Sequence, residues 1–487
     1  MLRREFLQGT VASSLALGMG GCRALRSPES QALFVNDIQS QLNLTRVHEI
    51  DTPASINELA ESVWRARRSG QPLAICGGRH AMGGQQFAMD GTLIDTTTLA
   101  RVLALDRERG LVTVESGMQW PALIKELHAL QPRDPQPWTI REKQSGVDGV
   151  TIGGSMASNI HGRGLSYPPF ISAIESFRLV DARGDVQEVS RSSNPELFSV
   201  VIGGYGLFGI VSDVTLRLVR RFKVERMVEL TPIRDLLDKV ARRVEEGFVF
   251  GDCQYAIDIE RDADEHPGIF SCYRPIGLEF PINAGQKGLA AADWAALYEL
   301  SRTNKAQAFQ RYSSYYLTTS GQRYWSDTHQ LAGDFFRGYQ QGRKRLSGSE
   351  IITEVYVAPE NFLDFMLAAR SKLLERRADV VFGTIRFIKQ DEESFLAWAP
   401  QDSVCVICNL HVEHDSAGVS KVAEDFRAII DCVLRFGGRY YLTYHRFAAV
   451  RQLLRAYPQF PEFLSLKQKY DAHEIFQSDW YRHYRRL

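Results

Sequence analysis

Apolar residues recur at helical spacing over residues 54–70, where Ile56, Leu59, Val63 and Ala66 share one face and Gly70 closes the run. That pattern predicts a helix. Residues 72–76 are a short apolar run entering Gly77 and Gly78, which predicts a strand and a turn. Residues 91–96 and 111–116 read as further strands, and 120–130 as an amphipathic helix. Residues 131–150, rich in proline and polar side chains, read as loop. Two β-rich runs, 174–180 and 186–189, flank an Asp181–Gly184 turn and predict a hairpin, and 210–219 alternates as a strand. Strands and helices interleave throughout, so the fold class is α+β.

The pattern changes near residue 221, after Arg220 and Arg221. Residues 233–247 and 359–376 read as amphipathic helices, and 351–357 and 404–412 as strands. The last 50 residues read as a tyrosine-rich strand, a helix and a solvated aromatic, basic tail. Four segments follow from this: 1–35, 36–220, 221–435 and 436–487.

Composition then narrows the classes. The 487 residues are long enough for two or three domains and a large core. Lys+Arg 58 balances Asp+Glu 58, so nothing favours a polyanion, and nucleic-acid binding is excluded as an expectation. No apolar run reaches the roughly 20 residues of a membrane span. Arg3 and Arg4, followed by Phe6 and Leu7, a weakly apolar stretch and Cys22, resemble a twin-arginine export signal. Cys22 after Gly20 and Gly21 resembles a lipoprotein site, so a lipid anchor there and a periplasmic or membrane-anchored location are expected. Cys405 and Cys408 have redox or zinc spacing, but they lie in an apolar strand that points them to opposite faces. They read as buried structural thiols, and no metal site is expected.

Three glycine-rich stretches carry the chemistry. The first holds Cys76, Gly77, Gly78, Arg79, His80, Ala81, Met82, Gly83 and Gln85. The second holds Gly149, Thr151, Gly153, Gly154, Ser158, Asn159, His161 and Gly162; the third holds Gly204, Gly209, Ile210 and Val211. Glycine lets backbone N–H groups turn toward an anion, which is how a loop cradles a pyrophosphate. Neither Walker A nor Rossmann spacing fits. Three such loops, each bordering a strand, imply a backbone-lined pocket for a large, flat, phosphorylated ligand.

In order and spacing these motifs, with Leu93–Asp95 and Val112–Gly117, resemble the FAD-binding (PCMH-type) domain of the vanillyl-alcohol oxidase family. The resemblance runs over 40–220 and resumes at 437–480; between them it is an outline, around Thr384 and Arg386. It implies an FAD-binding domain over 36–220, a substrate domain over 221–435 and a C-terminal segment returning to the flavin. It also implies FAD-dependent oxidation of a CH–OH group on a sugar-, lactone- or alditol-like small molecule, with O2 or a quinone or cytochrome taking the electrons. The nearest branches are the aldonolactone and sugar oxidases, including D-arabinono-1,4-lactone oxidase, and the decaprenylphosphoryl-ribose oxidase. In aldonolactone oxidases and cytokinin dehydrogenases a histidine at the His80 position is bonded covalently to the flavin; a hydrogen-bonded loop histidine is the alternative.

Two departures from that pattern bear on catalysis. The sugar-oxidising branch places a lysine where Tyr444 stands here. A phenol serves as base only if nearby positive charge, here from Arg386 or Arg439, lowers its pKa; otherwise His161 or His445 takes the role. Arg386 matches a substrate-facing arginine, but Thr384 replaces the branch's glutamate. His411 either faces the pocket or is a satisfied core residue. Strand alternation puts Tyr440, Leu442 and Tyr444 on one face, expected to be the inner one. Amine oxidation is the competing activity, with Asp148 near the position of the cytokinin dehydrogenases' aspartate. A flavin-binding protein without turnover is the competing class.

Overall fold

The computed structural model describes residues 32–258, 266–344 and 347–486, so Arg3, Arg4 and Cys22 lie outside the described residues. After a short antiparallel pair, Leu33–Val35 with Thr45–Val47, the chain enters a small parallel sheet, β1 (Glu49–Asp51), β2 (Leu73–Cys76) and β3 (Thr92–Asp95), in the order β1-β3-β2. The helix Ile56–Ser69 joins β1 to β2. Ser55 caps it by accepting from the Glu58 N–H, and Gly70 ends it in the left-handed conformation at φ 70°. Its apolar face, with Leu59 and Val63 fully buried, packs in a cluster with Leu73, Ile94 and Phe476.

An antiparallel sheet follows, from β4 (Val102–Asp106), β5 (Leu111–Glu115), β6 (Ile174–Val180), β7 (Val186–Ser190) and β8 (Ile210–Arg217). Its order is β7-β6-β8-β5-β4. The helix Trp120–Leu130 has the bounds that its apolar spacing predicts. The short helix Ile152–Ser158 follows the second glycine stretch, capped by Thr151, and Asn159 closes it at φ 49°.

The remaining chain is organised around an eight-stranded sheet. Its strands are β9 (Lys223–Pro232), β10 (Phe250–Tyr255), β11 (Pro267–Ile276), β12 (Arg323–Trp325), β13 (Ser349–Val357), β14 (Val380–Ile388), β15 (Ser403–Val412) and β16 (Arg439–Tyr440), in the order β12-β9-β11-β10-β14-β15-β13-β16. Every pairing is antiparallel. From residue 33 on, the described residues cluster as one compact unit. Among the described residues no helix is long and apolar enough to cross a membrane.

Four sequence expectations need correction. The strands β9, β10, β11, β12 and β14 and the helices Ala291–Thr303, Lys305–Leu317, Phe335–Arg343 and Ser416–Arg435 stand where the sequence reading named no element; in the first three helices the apolar positions are largely aromatic and irregularly spaced. The C-terminal strand is only Arg439–Tyr440; the chain then turns through 441–444, so alternation does not continue to Tyr444. Three helices follow rather than one. The last, Asp479–Tyr484, is docked: Trp480, Tyr481 and Tyr484 are buried, and the tail is not wholly solvated.

Candidate active site

A cavity of about 410 Å3 is bounded by all three glycine stretches and by one face of the eight-stranded sheet, a size ordinary for a ligand site. On the first side the wall is main chain, with little room behind it. A Cβ at Gly78 would lie 2.0 Å from the Gly149 carbonyl oxygen, and one at Gly77 would lie 2.2 Å from the Thr151 hydroxyl. The first and second loops therefore touch backbone to backbone, which only glycine permits. Gly209, at φ 148°, lies against the Val180 carbonyl at 2.7 Å from a Cβ position.

Of the cofactor-binding candidates, Cys76, Gly77, Gly78, Arg79, His80, Ala81, Met82, Gln85, Thr151, Gly153, Gly154, Ser158, His161, Gly209 and Val211 line the cavity. Gly83, Gly149, Asn159, Gly162, Gly204 and Ile210 do not line it. Asn159, for example, donates to Asp391 (2.9 Å) and accepts from the Ile171 N–H (2.9 Å), fixing the turn that carries His161.

The opposite side is side chain. Alternate residues of four neighbouring strands face the cavity: Asp252 and Gln254 of β10, Phe382, Thr384 and Arg386 of β14, Ile407 and Asn409 of β15, and Glu350, Ile352 and Glu354 of β13. Register explains the set, since Thr384 pairs with Gln254 and Ile407, and Ile407 with Glu354.

Glu354 is the residue that sequence reasoning missed, and it is the centre of this wall. Its Oε2 accepts from the Tyr444 hydroxyl at 2.7 Å. Its Oε1 meets His161 Nε2 at 2.6 Å, accepts from the Tyr356 hydroxyl at 2.6 Å and lies 3.4 Å from Cys405 Sγ. Burial alone would raise its pKa, but the His161 charge and then the hydrogen bonds from His161, Tyr356 and Tyr444 outweigh it and bring it down to about 2. The signal available in the sequence was a lone acidic residue within the apolar run Ile351–Val357, where a charge needs partners.

Tyr444, His161 and Arg386 all line the cavity, so the structure brings the three catalytic candidates together. The expected electrostatics of Tyr444 are reversed. Burial, then the Glu354 charge, push its hydroxyl well above the ordinary phenol range. Arg439 does not line the cavity: it donates to the Ala397 carbonyl and sits over the Tyr457 ring. A hydroxyl that donates to a buried carboxylate is thus held protonated, which disfavours a free phenolate at Tyr444. The inner face is also corrected, because Tyr441, Thr443 and Tyr444 line the cavity and Tyr440 and Leu442 do not. Both ring nitrogens of His161 face acceptors, Glu354 Oε1 and the Gly162 carbonyl (3.1 Å), leaving no lone pair toward the cavity in this rotamer.

The other candidates fall away. His445 stacks on Phe447 away from the cavity, and burial lowers its pKa to about 3. His411 bonds Glu413 at 3.0 Å and does not line the site. Asp148 is 3.0 Å from the buried Lys143 ammonium and accepts from the Ala332 N–H, so it is not a base poised for amine oxidation. Cys405 and Cys408 are buried and unbridged. The ligand atoms of His161, Glu354 and Cys405 lie within 4.8 Å of one another, but Glu354 Oε1 is already shared among the ring, Tyr356 and the thiol, a hydrogen-bond hub.

The glycine-loop side fits a flavin dinucleotide. His80 Nε2 and Ser116 Oγ are buried there without a partner, and burial lowers the His80 pKa to about 4, leaving a neutral ring with a free nitrogen.

Comparison with known proteins agrees. Residues 48–190 match the FAD binding domain model. The chain is 26% identical over 440 residues, 88% of its length and 94% of the relative's, to the L-gulono-1,4-lactone dehydrogenase of Mycobacterium tuberculosis. It is 27% identical over 198 residues to the L-gulonolactone oxidase of Bos taurus, covering 41% of this chain and 43% of that one. It is 27% identical over 205 residues to the mitochondrial L-galactono-1,4-lactone dehydrogenase of Arabidopsis thaliana, covering 41% of this chain and 32% of that one. Residues 48–190 are thus an FAD-binding domain of the PCMH type, FAD is the cofactor, and the chain is an FAD-dependent oxidoreductase related to these lactone dehydrogenases and oxidases.

Proposed function

We propose that this enzyme is exported and oxidises a CH–OH group of a sugar-, lactone- or alditol-like substrate, an activity resembling D-arabinono-1,4-lactone oxidation. One observation carries the reading: the Tyr444–Glu354–His161 chain of hydrogen bonds opens on the same cavity as the three glycine loops. The names of the relatives, all acting on aldonolactones, support the substrate class.

FAD, when bound, supplies the hydride acceptor. The chain's own residues manage the proton. Tyr444, half-buried, presents its oxygen to the cavity while its hydrogen points at Glu354 Oε2. As hydride leaves the carbon, the substrate O–H becomes part of a protonated carbonyl and is strongly acidic. It passes its proton to Tyr444 as the Tyr444 proton moves to Glu354, so no phenolate forms and no lowered phenol pKa is needed. His161 and Tyr356 hold the carboxylate in line. Arg386, whose Nε has no partner, binds substrate oxygen.

His80 carries the flavin covalently: its unpartnered Nε2 is the atom available for the bond. Acid precipitation should leave colour in the pellet, and His80→Ala should release it. Arg3 and Arg4 direct Tat export, testable by an Arg-to-Lys exchange at both that strands the protein inside the cell. Cys22 takes a lipid anchor, which labelled palmitate incorporation would report, and the electrons pass to O2 or to a quinone or cytochrome. The test of the activity itself is anaerobic bleaching of the flavin by a panel of aldonolactones, alditols and amines. Bleaching by amines alone, or by none, overturns the reading.

A further inference from the structure

The cavity wall that meets the eight-stranded sheet holds two arginines, Arg163 and Arg386, beside the carboxyl groups of Asp252, Glu350 and Glu354. Arg386 donates to Ser145 Oγ, and its Nε is buried without a partner. Arg163, two residues after His161, donates to the His329 carbonyl at 2.8 Å; its Nε is also unpartnered, and the nearest carboxylate, Asp252, is 3.8 Å away. Behind it Arg226 donates to Ser271 Oγ and lies over the Tyr316 and Tyr273 rings at 4.6 and 5.4 Å. Lys143 is fully buried, 3.0 Å from Asp148. Burial lowers its pKa to about 8; Asp148 opposes this, while Arg163 and Arg386 push it further down, so the three cations share one electrostatic environment.

The acidic groups around this cluster do not balance it. Asp148 and Asp252 stand against Arg163, Arg386, Arg226 and Lys143; Glu350, also on the wall, accepts from Asn409 at 2.8 Å and is raised by burial to about 7. Glu142 is pushed up toward its neutral form, chiefly by burial. Asp327 is engaged by Arg221 and His128, and Glu354 by His161, Tyr356 and Tyr444. Burial and the neighbouring arginines hold His329 uncharged. A buried cation without a counter-charge is costly. The guanidinium fork matches a carboxylate or phosphate in a way an isolated hydroxyl does not.

We propose that Arg163 and Arg386 form an oxyanion subsite, and that among sugar-like alcohols the site favours one bearing a carboxylate or phosphate over a neutral one. This rests on the reading of the cavity as a site for sugar-like alcohols. The flavin's own pyrophosphate is a different anion, held on the glycine-loop side, so the test uses enzyme already loaded with FAD.

The experiment is a titration of the loaded enzyme, read as perturbation of the flavin absorbance. The probes are L-gulonate, inorganic phosphate and neutral L-gulono-1,4-lactone. Saturable perturbation by gulonate about tenfold tighter than by the lactone supports the subsite. Competition by phosphate extends the subsite to phosphate esters, and its absence confines it to carboxylates. Arg163→Gln should weaken gulonate about tenfold more than it weakens the lactone, the scale of one charge-assisted hydrogen bond; Arg163→Lys, which keeps charge but loses the fork, should fall between. The wild-type comparison stands if neither variant folds. If the lactone perturbs the spectrum and gulonate binds no tighter, the subsite is refuted and the oxidoreductase reading survives. If no probe perturbs the spectrum, both fall.

Discussion

On the side of residues 76–83 and 149–154 the cavity is faced by main chain, set so close that a Cβ at Gly77 or Gly78 has no room. On the β10–β14–β15–β13 side it is faced by alternate side chains, among them Glu350, Glu354, Arg386 and Asn409. The first wall suits a cofactor whose shape is fixed, because backbone groups offer geometry and few choices. The second suits a substrate that differs between relatives, because each position changes by a single substitution without disturbing the sheet. The difference also separates two kinds of failure: damage to the first wall should lose the flavin, and damage to the second should lose turnover or specificity while the colour remains.

The largest effect should come from the backbone wall. Gly78→Ala puts a methyl group 2.0 Å from the Gly149 carbonyl oxygen, and main chain cannot move aside as a flexible side chain does. Flavin content should fall to a small fraction of wild type, with a stability loss of about 1–3 kcal/mol from overpacking. Absorbance per mole of purified protein and a thermal melt check both. Full flavin occupancy would mean that the loops are not held in contact.

A second effect lies within β13, where two carboxylates four residues apart titrate in opposite senses. Burial raises Glu350 to about 7, while the His161 charge and hydrogen bonds lower Glu354 to about 2. For Glu354 the unfolded state binds the proton more readily, so its contribution is present above about pH 4.5 and is lost as pH falls toward 2. For Glu350 the folded state keeps the proton longer. Its contribution is therefore full below about pH 4.5, declines as pH rises to 7 and is level above. Each window amounts to something on the order of 3 kcal/mol. Glu350→Gln should flatten the decline between pH 4.5 and 7 in denaturation profiles and leave the acid limb. An unchanged upper slope would place that titration elsewhere.

The smallest of these effects concerns Arg386. Replacement by alanine removes a charge-assisted hydrogen bond worth about 1.5–3 kcal/mol. KM should rise by roughly one to two orders of magnitude, with flavin content unchanged. An unaltered KM would remove Arg386 from the substrate wall.

The same contrast decides what was legible in the sequence. Local rules wrote the flavin side: Ser55 and Gly70 bound a helix, the first glycine stretch follows β2, the second opens the helix Ile152–Ser158 and the third leads into β8, so elements and cofactor could be read in order. The substrate side depends on pairings between residues far apart in the chain, 193 positions for His161 with Glu354 and 90 for Tyr444 with Glu354. Glu354 gains its meaning from His161 and Tyr444, which meet it only through the sheet and the returning C-terminus. Tyr444 was placed at the site by the lysine position of the sugar-oxidising branch, but the alternation that set Tyr440 and Leu442 beside it is broken by the turn at 441–444. Its raised pKa could not be foreseen without the carboxylate it donates to. The helices over 291–343 were missed for a related reason: they bury tyrosines and tryptophans against one another, as Trp294 meets Phe335 and Tyr298 meets Tyr339.

The central claim is that Tyr444 and Glu354 form one proton relay, and anaerobic stopped-flow reduction of the flavin tests it most directly. The substrate is the compound that bleaches the wild-type enzyme fastest, and the proteins are wild type, Tyr444→Phe, Glu354→Gln and the double variant. The relay predicts that each single variant slows reduction by roughly 10²–10⁴-fold and that the double variant is no slower than the worse single one, because both remove the same path. Near-normal reduction in either single variant, or losses that multiply in the double, would contradict it.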